Sequence, residues 1–69
     1  MSQEIRKILA NNIEKMRIKK KLKREELSLI LGFDNSYISK LEKSRINITL
    51  DKLTKIAEFF ETDVYKLLK

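Results

Sequence analysis

An all-α fold is the class this sequence predicts: a compact domain of five helices. Three observations predict it. Proline is absent and glycine occurs once, whereas small strand-rich domains need more turn residues than that. Apolar residues recur at three- and four-residue steps, the period of a helix buried on one face. Short polar clusters separate these stripes, so the connections between helices are short.

The first helix is expected from about Gln3 to about Lys20, with Ile5, Ile8, Leu9, Ile13 and Met16 as its stripe. Ile18 falls off that stripe. The lysines near its end suit the negative pole of a helix. A joint at residues 21–23 follows, with Leu22 directed into the core. The second helix is expected over Arg24–Leu31, with Leu27, Ile30 and Leu31 inward and Glu25 and Glu26 in the first turn. Gly32 stands where that helix must stop, and glycine takes a left-handed terminal conformation without strain. Phe33 packs the corner. Asp34 is a good N-cap for a third helix over Asn35–Lys43. Two short helices joined by a tight glycine turn make a helix-turn-helix. After the loop SRINIT, Thr49 caps a fourth helix, Leu50–Phe60, whose stripe is Leu53, Ile56, Ala57 and Phe60. Asp63 caps a last helix, Val64–Leu68.

With 69 residues, the chain is expected to form one domain over residues 1–69, with a modest core. No cysteine and no histidine occur, which removes disulfides, thiolate nucleophiles and the usual zinc ligands. No cofactor is expected. No apolar run approaches the roughly 20 residues that span a bilayer, and MSQEIRKILANN lacks the pattern of a signal peptide. A soluble, cytoplasmic protein is the expectation.

The formal charge of +6 is unevenly placed. Residues 1–24 hold nine Lys/Arg against two Glu, residues 25–48 three against four acids, and residues 49–69 four against four. The excess therefore sits in the first third, mostly in KMRIKKKLKR. A local block of this kind points to an anionic partner.

The third helix mixes two characters. Ile38 and Leu41 have core spacing, while Asn35, Ser36, Ser39, Lys40 and Lys43 are short polar or cationic. A merely solvated face would favour Glu, Lys and Gln, because Ser and Asn are mediocre helix formers. In the major groove, by contrast, Asn pairs bidentately with adenine, Lys reaches guanine, and Ser serves either. Arg17 and Glu42 sit beside Met16 and Leu41, so neither is expected on an outer helix face.

The segment LKREELSLILGFDNSYISKLEKSRINITLDKLTKIAEFF resembles the helix-turn-helix domain of the phage repressor and Cro family, a lambda-repressor-like fold. The likeness runs from about Ile13 to Leu68. It rests on the glycine at the turn, Tyr-Ile-Ser and Leu-Glu on the third helix, the Asn beyond it and the capped fourth helix. The size and the stretch NITLDKL look most like single-domain regulators, including controller proteins of restriction–modification systems.

The resemblance implies a transcription regulator, repressor or activator, that binds a palindromic double-stranded DNA operator as a homodimer. Its third helix would lie in the major groove. Base contacts are implied for Asn35, Ser36 and Lys40, with Ser39 on the same helix. Arg24, Tyr37, Lys43, Arg45 and Asn47 match positions near the DNA backbone. Arg17 and Glu42 match the family's structural ion pair. Lys23 stands where Ser or Thr commonly caps the second helix, so a phosphate contact is expected in place of the cap. Ser44 and Glu61 replace frequent glycines, so those helix ends are expected to be looser or differently shaped. Phe59, Tyr65 and Leu68 exceed the needs of a monomer core and are read as a dimer interface. For an activator, RNA polymerase is a further partner.

Three other classes compete. Catalysis would have to rest on carboxylates, Lys, Ser or Tyr, and the adjacent Glu25 and Glu26 cannot both face one pocket, so an enzyme is not expected. The first helix is basic and amphipathic, as membrane-surface helices are, but its stripe is needed in the core. An antitoxin-like module that holds a protein partner and also binds DNA is the alternative.

Overall fold

The computed structural model describes residues 2–69. Its helices follow in the order α1 (Gln3–Lys19), α2 (Arg24–Ile30), α3 (Tyr37–Glu42), α4 (Leu50–Phe59) and α5 (Val64–Leu67). One core holds them together, built from Leu9 and Ile13 of α1, Leu27 of α2, Leu31 just past it, Ile38 and Leu41 of α3, Leu53, Ile56 and Ala57 of α4, and Leu67 of α5. Leu22, Phe33, Phe60 and Val64 pack against its margin.

Two caps follow from local chemistry. Ser2 Oγ accepts from the Ile5 N–H, and Thr49 Oγ1 from the Lys52 N–H, both at 3.2 Å. At α2 the capping residue is Lys23, which has no side-chain acceptor. Glu26 supplies the reverse half of a capping box: its Oε1 accepts the Lys23 N–H at 2.8 Å. Asp63 occupies the cap position of α5 without a side-chain bond. Asn12 instead ties α5 to α1, donating from Nδ2 to the Leu67 and Lys69 carbonyls at 2.8 and 3.3 Å.

The helix ends share one geometry. Lys21, Gly32, Ser44 and Glu61 have φ of 59°, 76°, 59° and 55°, each just beyond α1, α2, α3 or α4. In all four, the next residue's N–H reaches back across the turn: Leu22 to the Arg17 carbonyl, Phe33 to Ser28, Arg45 to Lys40, Thr62 to Ala57. This is the Schellman arrangement, which satisfies carbonyls that a helix end would strand. Ser44 and Glu61 therefore do not loosen their helix ends. They adopt the glycine geometry at a steric cost of roughly 1–2 kcal/mol each.

Two expected features differ. Ile30, expected inward with Leu27 and Leu31, is 54% exposed, whereas Leu31 is buried: from Leu27 the i+4 position continues the buried face and the i+3 position does not. Asp34 is not the cap of α3, and the helix does not start at Asn35. Residues 35 and 36 form a turn, and Ser36 is the capping position. The Asp34 carboxylate accepts from the Ser36 N–H at 3.2 Å and from the Ser36 hydroxyl. This local turn competes with helix and delays it by two residues.

Candidate nucleic-acid interface

The third helix is held at its C-terminal end by buried charge. The Arg17 and Glu42 side chains are 9% and 3% exposed. Arg17 Nε donates to Glu42 Oε2 at 2.8 Å, and its Nη2 to Oε1 at 3.3 Å, a two-pronged pairing. Arg17 Nη1 also donates to the Leu22 carbonyl at 2.7 Å. Sequence spacing did not reveal the third partner: Arg24 Nε donates to Glu42 Oε1 at 2.9 Å, and its Nη2 reaches Glu14 Oε2 at 3.4 Å. The hydrogen bond and charge of Glu42 push the Arg24 pKa further up. Two arginines and two glutamates thus connect α1, α2 and α3. Arg24, expected to face a DNA phosphate, spends its Nε here and keeps about half of its side chain open to solvent.

The turn and outer face of α3 carry the polar groups singled out from sequence. Asn35 and Lys40 are exposed, while Ser36 and Ser39 are half-buried. Ser36 donates its hydroxyl proton to Asp34, leaving only its lone pairs for another partner. These bonds from Ser36 hold the Asp34 carboxyl below its usual pKa, its side-chain bond first and its backbone bond second. Lys43 caps the end of α3, with Arg45 exposed just beyond it. Lys23 is exposed at the start of α2, next in sequence to the arginine that grips Glu42. Asn47 is exposed, but its side-chain carbonyl accepts from Arg6 Nη2 of α1.

Tyr37 departs from expectation. Its hydroxyl is buried and has no hydrogen-bond partner, so it does not meet a phosphate in this conformation. Burial pushes its pKa up. The ring stacks at a tilt on Phe33, with centroids 4.8 Å apart, and Lys52 Nζ lies 4.5 Å from the Tyr37 centroid. Tyr37 therefore packs the corner between α2, α3 and α4 as an aromatic wedge with a cation over its face.

Along α4 and α5, Phe59 and Leu68 are half-buried and Tyr65 is 66% exposed. Phe59 meets Phe60 edge to face at 5.1 Å, with Lys20 Nζ 5.3 Å from its ring centroid. Leu50, at the start of α4, is also exposed. Among the described residues no helix is long and apolar enough to cross a membrane.

A helix-turn-helix family model matches residues 13–67 of this architecture. The chain belongs to the helix-turn-helix family. The relatives it matches carry names such as transcription factor and control protein. The chain is 36% identical over 66 residues to the Neisseria hypothetical transcription factor of Neisseria meningitidis serogroup B, covering 96% of this chain and 62% of that protein. It is 37% identical over 65 residues to the control protein C.SmaI of Serratia marcescens, covering 94% of this chain and 77% of that one. The crystal structure of the Neisseria factor superposes with a TM-score of 0.89 at 33% identity, over all of this chain and 80% of that one.

Proposed function

We propose that this protein is a sequence-specific regulator that binds a palindromic duplex operator as a homodimer, with α3 and the turn before it in the major groove. The observation that carries the reading is the buried Arg17–Glu42 pair with Arg24. It fixes the α3 axis against two other helices, while Asn35 and Lys40 stay open to solvent. A side chain can discriminate bases only if its support does not yield.

In this reading Asn35 and Lys40 supply direct base contacts, with Ser36 and Ser39 contributing acceptors or donors from a half-buried rim. Lys23, Lys43 and Arg45 meet phosphates, and Arg24 does so with the half of its guanidinium that Glu42 leaves free. Asn47, held by Arg6, orders the loop beside them. The dimer forms through Phe59, Tyr65 and Leu68, so that two copies of α3 meet half-sites about one helical turn apart. The likeness to a protein named as a control protein supports a controller-type role in gene expression.

Selection of bound fragments from random duplex DNA tests the proposal. The expected product is an inverted repeat with half-sites about 10 base pairs apart, centre to centre. Recovery of unrelated fragments, with affinity set by salt alone, would contradict it.

A further inference from the structure

The first turn of α3 is short of hydrogen-bond acceptors. A helix leaves its leading N–H groups without partners inside the helix, and side-chain caps normally serve them. Here Ser36 makes no cap bond, because its hydroxyl is turned to Asp34. The Ser36 N–H goes to the Asp34 carboxylate and the Tyr37 N–H to the Asp34 carbonyl. The Ile38 N–H belongs to a residue with 0% exposure, where neither Asp34 nor water serves it.

Its acceptor comes from another helix. Ser28 Oγ of α2 takes the Ile38 N–H at 3.1 Å, a buried bond. The Ser28 carbonyl accepts the Phe33 N–H at 2.8 Å. One residue therefore holds both the exit of α2 and the entry of α3. Ser28 is wholly buried, as the side chains of the Arg17–Glu42 pair nearly are. The two act on opposite ends of α3: Arg17 on Glu42 in its last turn, Ser28 on Ile38 in its first. A position with no exposure ordinarily carries an apolar side chain; here the hydroxyl's partner is the Ile38 N–H.

We infer that Ser28 is a positioning residue for the DNA interface, its buried hydroxyl setting how the first turn of α3 presents Asn35 to bases. The inference rests on the proposed DNA reading. It touches no DNA itself and acts through the Ile38 backbone.

Ser28→Ala removes the oxygen and little else. In the free protein, hydrogen exchange at the Ile38 amide is expected to rise at least tenfold relative to the Leu41 amide, with a fall in Tm of about 5–15 °C. On the duplex selected by the wild-type chain, discrimination at the base pair read by Asn35 is expected to fall about tenfold. Adding Asn35→Ala to that background should then cost less discrimination than it does in the wild-type chain. Ser28→Thr keeps the acceptor and should retain discrimination even where its methyl lowers Tm; this variant decides the matter if the alanine form does not fold. Ile56→Val, a core change on α4, should lower Tm without touching discrimination. Unchanged Ile38 exchange, or full discrimination in Ser28→Ala, would overturn the inference while leaving the DNA reading intact. Failure of the wild-type chain to enrich any duplex would instead overturn the DNA reading, and the positioning role with it.

Discussion

The α1–α2–α3 half and the α4–α5 end of this molecule are held by different forces. In the first, directional bonds supplement the core: a two-arginine grip on Glu42, and a buried serine under the start of α3. In the second, α4 and α5 are held mainly by apolar burial of Leu53, Ile56, Ala57 and Leu67, with one tie from Asn12. Hydrophobic burial has magnitude but no direction. A buried ion pair adds little net stability, yet it tolerates few alternative geometries. The contrast places orientational control beneath α3. Exposed large apolar side chains occur in both parts: Ile18, Leu29 and Ile30 in the first, Leu50 and Tyr65 in the second.

The largest effect should come from breaking the grip. Glu42→Ala strands the buried Arg17 guanidinium and should cost about 3–5 kcal/mol of folding stability, read as a large fall in Tm before any DNA is added. A Tm within a degree or two of wild type would mean that the pair is not buried in solution. At the opposite end, Tyr65→Asp should leave monomer stability within about 0.5 kcal/mol, as for an exposed position. It should shift sedimentation from dimer toward monomer and weaken operator binding. An undisturbed dimer would place the interface elsewhere.

Smaller effects sharpen the same contrast. Ser44→Gly and Glu61→Gly should each stabilise by about 0.5 kcal/mol. Relief of left-handed strain of about 1–2 kcal/mol outweighs the added freedom of glycine in the unfolded chain, about 0.4–1 kcal/mol. Denaturant midpoints would show it; loss of stability would mean that these backbone positions carry no strain. The Asp34 turn should give the slightest signal. Its folded pKa is lowered by Ser36. The stability it adds is therefore present above the ordinary carboxylate pKa and fades as pH falls through the folded value. Asp34→Asn should flatten that part of the acid titration and leave neutral-pH behaviour nearly unchanged.

Much of the fold was legible because helical period and core membership are the same signal. Leu27, Ile38, Leu41, Leu53 and Ile56 could hardly face elsewhere. Arg17 was legible as well, four residues beyond Ile13 on the buried stripe. What period cannot show is which of two candidates faces inward where a helix ends, as with Ile30 and Leu31. Nor can it show whether Asp-x-Ser caps a helix or closes a turn before it, since both use the same side-chain chemistry. The left-handed Ser44 and Glu61 were hidden for a related reason: each closes a Schellman turn in a conformation that its own side chain resists. In the candidate interface, the polar residue types were visible, but their engagements were not. Arg24 is shared with Glu42, Ser36 with Asp34 and Asn47 with Arg6, each through a partner distant in sequence or in an unexpected local geometry. Ser28 gave the one signal that could have been followed, a hydroxyl beside Leu27 and three residues before Leu31 on the inner face.

In the proposed function, a rigidly braced α3 reads bases through the turn that precedes it. The most direct test is the binding of Asn35→Ala to the selected duplex and to its single-base variants. A loss of about 1–3 kcal/mol of discrimination is expected at one base pair per half-site, with little change elsewhere. Equal weakening on every sequence would contradict it.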